Sequence, residues 1–189
     1  MQPPRTFIKW VYAGSLAATV GVMVVAVALG VVLEEGSRSP YDYDREPSIA
    51  PLIGMLLAAP CMLAWIGSTL FWVYDAWSSV PERHRNVQVV GTMTPLLASL
   101  LLLIPCFNIV WGFIVTITLA TQLNVALAEA GSSKQVPVVV GVLACCAQLV
   151  PYCNTLIAPF LWFGWMFVVD QARQELYTLG DGKQWAAAF

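Results

Sequence analysis

The chain has 189 residues, of which 59% are hydrophobic and only 11% are charged, and nine basic against eleven acidic residues leave a net charge of −2. Because soluble domains carry about 25% charged residues, this composition excludes a secreted enzyme, a disordered protein and a nucleic-acid-binding protein. Every Lys, Arg, Asp and Glu lies outside four apolar blocks, which cover residues 10–33, 48–74, 86–128 and 135–169. This segregation predicts a polytopic transmembrane bundle of the all-α class, with the lipid bilayer as its solvent.

The first two blocks each predict one membrane-spanning helix, at about residues 10–33 and 49–74. A bilayer core of about 30 Å requires about 20 helical residues, and both blocks meet that length. Small residues recur every three or four positions of the first span and form a small-residue stripe of Gly14, Ala18, Gly21, Val25 and Ala28. Such stripes let helix backbones approach closely in lipid. We expect this stripe to pack within the chain in preference to packing against a second subunit.

The third block would form a helix of about 65 Å if it were continuous, about twice the thickness of the bilayer core. A break at its centre, around Pro105 and Asn108, divides it into halves, because proline removes a helical donor and asparagine favours turns. The fourth block repeats this pattern at Pro151 and Asn154. We therefore predict structural helix breaks at these four residues, and spans at about 87–104, 109–128, 136–150 and 155–171.

The breaks leave two arrangements open. In the favoured one, each break reverses the chain, so that two ordinary spans and two helical hairpins make a bundle of six hydrophobic helices. In the alternative, the third and fourth helices are long and kinked at their prolines, and the bundle has four spans. With the N-terminus inside, the first arrangement places seven of the nine basic residues in the cytoplasm, and the second places six there because Lys134 moves outside.

Both arrangements place the N- and C-termini in the cytoplasm, since basic residues favour that side of the membrane. We predict a single integral membrane domain over residues 1–189. An acidic loop at residues 34–48 is expected on the outer face, and a tail at residues 172–189 is expected in the cytoplasm.

The five cysteines raise the question of a metal, redox or disulfide site. Cys145 and Cys146 are adjacent within an apolar span and lack the C-x-x-C spacing, and His84 is the only histidine. We therefore predict neither a metal nor a cofactor. The hairpin arrangement puts Cys106 and Cys153 at the two outer turns, where an oxidising compartment would permit a disulfide between them.

No catalytic group of residues can be assembled from the sequence. A nucleophile needs a base beside it, and no Ser/Lys, Ser/His or Asp/Asp pair is predicted at one depth of the membrane. Asp75 and Asp170 both follow directly on apolar blocks, at the cytoplasmic ends of spans, and no other carboxylate lies deeper. We therefore predict that the protein is not an enzyme and has no catalytic residues.

Several short motifs between residues 77 and 175 are shared with a known group of proteins. They are Thr94-Pro95 followed by Ala98, the run Ile104-Pro105-x-Phe107-Asn108-x-x-Trp111-x-Phe113, Leu123-x-x-Ala126 and Val150-Pro151-Tyr152. On these residues the chain resembles bacterial polytopic membrane proteins of unknown function, many of which carry an N-terminal GYF-like domain that is absent here. Val110 also stands where the group usually has an aromatic residue. The resemblance implies a helical bundle in a bacterial inner membrane, and it implies no activity, cofactor or catalytic residue.

The leading functional hypothesis is a non-enzymatic accessory or scaffold subunit that packs against a membrane-protein partner or a second copy of itself. The small-residue stripe and the aromatic belts favour it, as does the lack of an ionisable group deep in the predicted spans. The alternative is a channel or transporter for a small neutral solute, because discontinuous helices often mark the binding sites of transporters. That site would use Asn108, Asn154 and their turns.

Overall fold

The computed structural model describes residues 4–36, 50–87 and 91–179, and this part of the chain is almost entirely helical. Its α-helices are α1 (Ile8–Gly36), α2 (Ala50–Ser78), α3 (Pro95–Leu100), α4 (Phe107–Glu129), α5 (Val138–Leu149), α6 (Pro151–Leu156) and α7 (Ala158–Leu179). It also contains 3-10 turns at Glu82–His84 and Leu101–Leu103, and an antiparallel pairing of β1 (Asn86–Val87) with β2 (Gly91–Thr92). The all-α class is therefore confirmed.

Three of these helices, α1, α2 and α4, are long and apolar enough to cross a membrane, with mean hydropathies of 2.4, 1.7 and 1.6 in their most apolar stretches. They coincide with the spans predicted at 10–33, 49–74 and 109–128. The outer loop predicted at 34–48 lies outside the described residues from residue 37 onwards. The predicted tail lies outside them from residue 180 onwards, and before that point it is helical, as the C-terminal part of α7.

The segment 87–104 does not form the single helix that the sequence predicts, and that prediction is wrong over its first half. Residues 86–92 instead contain the β1–β2 pairing, and Gly91, the first residue of β2, adopts a φ of +77°. Glycine reaches this left-handed conformation without the steric cost that a side chain would add. The chain therefore turns back on itself here instead of entering a helix.

A capping motif starts α3 only at Pro95. The Oγ1 of Thr94 accepts a hydrogen bond from the N–H of Leu97 at 3.2 Å, and proline occupies the first helical position. The helix has six residues, and the 12 residues of α5 are also fewer than a bilayer crossing requires. The count of six spanning helices is therefore not confirmed.

The chain forms two compact units. The hairpin unit is Trp10–Gly67 and contains most of α1 and α2, and the bundle unit contains residues 1–9 and 68–189. Within the hairpin unit, Gly54 of α2 lies so close to Ala26 of α1 that a methyl group on Gly54 would overlap the Ala26 side chain. This glycine therefore permits the close approach of the two helices.

The first break in the bundle unit reverses the chain. Ile104 is extended, as the residue before a proline tends to be, and Cys106 follows with a φ of +64°. The N–H of Phe107 donates to the carbonyl of Pro105 at 2.7 Å and closes a tight turn. Across this turn the indole N–H of Trp111 on α4 donates to the Ala98 carbonyl of α3 at 3.0 Å. The turn therefore brings the start of α4 back to α3 at this one contact.

The second break also returns the chain on itself. Val150 is extended before Pro151, which begins the short helix α6, and α7 then starts at Ala158. On the two sides of this break, Gly141 of α5 lies against the ring of Trp165 of α7. At both breaks the helix ends, so neither proline lies inside one continuous helix, and the choice between six and four spans stays a prediction.

Candidate functional site: a buried charge cluster

Four charged side chains meet at one place in the bundle unit, although they are far apart in the sequence. Lys9 lies in the first turn of α1, Asp75 lies in the last turn of α2, and Asp170 and Arg173 lie one turn apart on α7. We call these four residues the charge cluster. The relative exposure of Asp170 is 0%, that of Arg173 is 2% and that of Lys9 is 6%. Fully buried charges are rare unless they are paired, so their arrangement decides whether the site is stable.

Each of the three nitrogens of the Arg173 guanidinium donates at least one hydrogen bond. Its Nη1 donates to Oδ1 of Asp170 at 3.1 Å, and its Nη2 donates to Oδ2 of Asp75 at 2.5 Å and to the Asp75 carbonyl at 2.9 Å. Its Nε donates to Oγ of Ser79 at 2.7 Å. Arg173 therefore joins the end of α2 to the middle of α7 through every nitrogen of its side chain.

The carboxylate of Asp170 is shared between three partners. Its Oδ1 accepts from Arg173 and also from the indole N–H of Trp72 at 3.0 Å. Its Oδ2 accepts no hydrogen bond within the described part of the chain and faces the ammonium of Lys9 at 3.4 Å. That ammonium also lies 4.5 Å from the ring centroid of Phe167, where the negative face of the ring attracts a cation.

The charges of the cluster cancel, since two cations face two carboxylates. A buried pair of this kind gives little net stability, because desolvation offsets most of the Coulombic attraction, but the loss of one member leaves its partner unpaired. The cluster therefore acts chemically as a closed set of ion pairs that joins Lys9, the last turn of α2 and α7 within the bundle unit. It contains no nucleophile with a base beside it.

Further polar contacts surround this end of the bundle unit. Arg83 and His84 both contact the Oε2 of Glu129 at the end of α4, at 2.5 and 3.2 Å. Lys134 forms an ion pair with Glu175 of α7, which also accepts from Oγ of Ser132 at 2.5 Å. The connections after α2 and after α4 are thereby both fastened to helix ends near the charge cluster.

A clasp of two hydrogen bonds fixes the chain after α4. The side-chain amide of Asn124 donates to the Val136 carbonyl at 3.0 Å, and its oxygen accepts from the Val136 N–H at 2.6 Å. Both backbone groups of Val136 are thus satisfied by one side chain, as they would be in a sheet. The clasp therefore fixes the start of α5 beside Asn124 of α4, and from there α5 runs antiparallel to α4.

The ion pair with Lys134 and the hydrogen bond from Ser132 lower the pKa of Glu175 below its ordinary value. A carboxylate with a depressed pKa stabilises the fold above its unfolded pKa of about 4.3, and that contribution is lost as the pH falls through the folded pKa. We therefore expect wild-type protein to melt at a higher temperature than Glu175→Gln at pH 7, and the difference to shrink below about pH 4.3. Melting curves of both proteins from pH 7 to pH 3 measure it. A difference in melting temperature that does not change with pH would contradict the ion pair. As a control, Glu175→Gln introduced into Lys134→Gln protein should change the melting temperature only slightly at pH 7, because the ion pair is already absent.

The predicted helix breaks lie at the other end of the bundle unit. α4 begins directly after the first break, and α5 ends directly before the second. Thr116 of α4 contacts Cys145 of α5, while Asn124 contacts Val136, so the two helices run antiparallel. The backbone N–H groups of Asn108 and Asn154 each donate to the carbonyl four residues earlier, at 2.9 and 2.8 Å. The turns at the two breaks therefore each contain the same type of backbone hydrogen bond, in addition to the same sequence pattern.

The four residues predicted as structural helix breaks are all exposed in the structure. They are Pro105, Asn108, Pro151 and Asn154. The two asparagine side chains are not brought together in a common enclosed site among the described residues. Cys106 is exposed, Cys153 is half-buried, and both are free thiols in the structure. A disulfide between them stays a prediction.

Sequence analysis missed the charge cluster as a site. Asp75 and Asp170 were recognised only as the deepest carboxylates, and nothing in the sequence pairs them with Lys9. The available signal was local: Asp170 and Arg173 stand three residues apart on a helix, a spacing that lets opposite charges meet. Within the described residues, no group of three or more His, Cys, Asp or Glu side chains is placed to hold a metal ion.

No protein-family model matches the chain, and neither a curated protein nor a solved structure matches it. The resemblance of residues 77–175 to bacterial membrane proteins therefore stays a prediction.

Proposed function

We propose that the protein is a multi-pass integral membrane protein of the bacterial inner membrane that serves as a non-enzymatic scaffold or accessory subunit. The observation that carries this proposal is the exposure of the small-residue stripe on α1. A methyl group added to Gly14 or Gly21 would meet no atom within 4 Å outside its own helix, and Ala18, Val25 and Ala28 are exposed. Within the hairpin unit α2 therefore does not cover the stripe, and the expectation that the stripe packs elsewhere within the chain stays a prediction.

The stripe is left uncovered because α1 packs on α2 through a different face. The close contact between the two helices is made at Ala26 and Gly54. Gly21 and Val25 of the stripe instead border an open apolar groove of about 560 Å³ between α1 and α2. In lipid, helix association depends on close packing of small residues, so an exposed stripe beside a groove favours docking of a further transmembrane helix.

The contacts of the bundle unit support the proposed orientation. The N-terminal segment reaches the charge cluster through Lys9, while Arg83 and Lys134 are fastened to helix ends nearby. The basic residues of the described part of the chain therefore gather at one end of this unit, which the positive-inside rule assigns to the cytoplasm. We propose that both termini are on that side and that the two helix breaks face outward.

We expect Gly21→Leu to abolish most crosslinking of the protein to its helix partner in membranes, because the larger side chain holds the two backbones apart. Val24→Leu, at an exposed position of α1 outside the stripe, is the matched control and should crosslink as the wild type does. Photo-crosslinking in native membranes followed by mass spectrometry identifies the partner, whether it is a second protein or a second copy.

Two results would overturn the proposal. One is equal crosslinking of Gly21→Leu, Val24→Leu and wild-type protein. The other is solute flux into liposomes that contain the purified protein, if that flux is abolished by Asn108→Ala, because it would assign the helix breaks to transport.

A further inference from the structure

One cation at the charge-cluster end of the bundle unit differs from the others. Within the described part of the chain, an ion pair with a carboxylate occupies each of Lys9, Arg83, Arg85, Lys134 and Arg173. No described carboxylate pairs with the side chain of Arg5, which is exposed. This guanidinium is therefore a positive charge that the cluster does not use.

The backbone of Arg5 is nevertheless held in place. Its N–H donates to Oδ2 of Asp75 at 3.4 Å, and its carbonyl accepts from the N–H of Ile8 at 3.2 Å. Asp75 does not neutralise the Arg5 side chain, because the same carboxylate oxygen accepts from Arg173 at 2.5 Å. The position of Arg5 is thus fixed by the cluster, while its charge is left over.

The Arg5 guanidinium lies over one aromatic ring. Its central carbon lies 5.5 Å from the ring centroid of Phe71, and that ring stacks on Tyr74 with centroids 6.5 Å apart. Phe7, Phe71 and Tyr74 are all exposed. Exposed aromatic side chains next to the start of an apolar helix are typical of the membrane–water interface. Because the apolar stretch of α1 starts at Ile8, we expect Arg5 to lie at the level of the lipid headgroups when α1 spans the bilayer.

We propose that Arg5, Phe71 and Tyr74 form a binding site for the phosphate headgroup of an anionic phospholipid. The planar guanidinium offers paired N–H donors that match two phosphate oxygens, and its other face stays on the ring of Phe71. The first carbons of the acyl chains then lie along the exposed aromatic rings. A lipid bound in this way ties the N-terminal segment, the end of α2 and, through Asp75 and Arg173, α7 to one leaflet.

The test compares lipid binding by the full-length protein and its variants in nanodiscs. The probe is phosphatidylglycerol at increasing mole fraction in phosphatidylcholine, and the readouts are the lipids retained in native mass spectrometry and the melting temperature. We expect phosphatidylglycerol to be retained and to raise the melting temperature of the wild type. Arg5→Gln should weaken this preference about fivefold, the effect of one cation near a membrane surface. Lys134→Gln removes the same charge from the same end but from an existing ion pair, and it should bind like the wild type.

Three results would overturn the site. The first is unchanged phosphatidylglycerol retention in Arg5→Gln. The second is an equal loss in Arg5→Gln and Lys134→Gln, which would indicate attraction by overall charge. The third is equal stabilisation by inorganic phosphate in pure phosphatidylcholine, which would indicate a site for free anions. If Arg5→Gln does not fold, Arg5→Lys and Phe71→Leu replace it. Arg5→Lys should bind phosphatidylglycerol more weakly than the wild type because lysine lacks the paired donors. Phe71→Leu should also bind it more weakly because the supporting ring is lost. Unchanged binding by both variants would contradict the proposal.

Discussion

Arg173→Met is expected to destabilise the protein by about 3–5 kcal/mol, the usual cost of breaking a buried ion pair from one side. The change removes four hydrogen bonds to Asp170, Asp75 and Ser79 and leaves two carboxylates facing the single cation Lys9. Because whole domains are stable by only about 5–15 kcal/mol, we expect a low yield of folded protein and a large fall in melting temperature in mild detergent.

Two further variants show whether the buried charge is the cause. Arg83→Met breaks the ion pair with Glu129, in which the arginine side chain is 52% exposed, and it should cost less than about 1 kcal/mol. In Arg173→Met combined with Asp75→Leu, one cation and one carboxylate remain, so the double variant should be less destabilised than the sum of the single variants. Equal costs for Arg173→Met and Arg83→Met would show that the cluster is not a buried network.

Gly141→Ala is expected to destabilise the bundle unit by about 1–3 kcal/mol through overpacking. A methyl group at this position would overlap Cγ2 of Thr116 on α4 and lie 3.2 Å from two ring carbons of Trp165 on α7. Neither neighbour moves freely, since Thr116 and Trp165 are both buried and threonine is stiff at χ1. In an open helical position the same substitution would be favourable, because alanine is the better helix former.

The matched control is Gly164→Ala on α7, where an added methyl group would meet nothing within 4 Å. It should be neutral or slightly stabilising. Thr116→Ser should rescue Gly141→Ala, because it removes Cγ2 and keeps the hydroxyl that lies 3.7 Å from Cys145 Sγ. Equal melting temperatures for Gly141→Ala and Gly164→Ala would contradict the close contact of α4, α5 and α7.

The long helices and the two chain reversals could be read from the sequence because both depend on local properties. Length and hydropathy are sufficient to locate α1, α2 and α4. The reversals follow from prolines that remove helical donors and force the preceding residue into extended geometry. The late start of α3 depends on weaker signals, since Thr94-Pro95 is a capping motif inside an otherwise continuous apolar block.

The charge cluster could not be read in this way because its members meet only in the folded chain. Lys9 and Asp170 are 161 positions apart, and hydropathy treats each of them as the end of an apolar block. The uncovered stripe on α1 was missed for a similar reason. Ala26 lies on α1 outside the stripe, and only the folded structure shows that α2 contacts α1 there, at Gly54.

Cysteine labelling from each side of the membrane tests most directly that the helix breaks and the charge-cluster end are on opposite sides. Two variants each retain one cysteine, either the native Cys106 at the first break or a Ser133→Cys replacement in the connection after α4. A membrane-impermeant maleimide is added to intact spheroplasts and to inverted vesicles. We expect Cys106 to react only from the outside and Ser133→Cys only from the cytoplasmic side. Labelling of both positions from the same side would contradict the proposed topology and the orientation of the bundle unit.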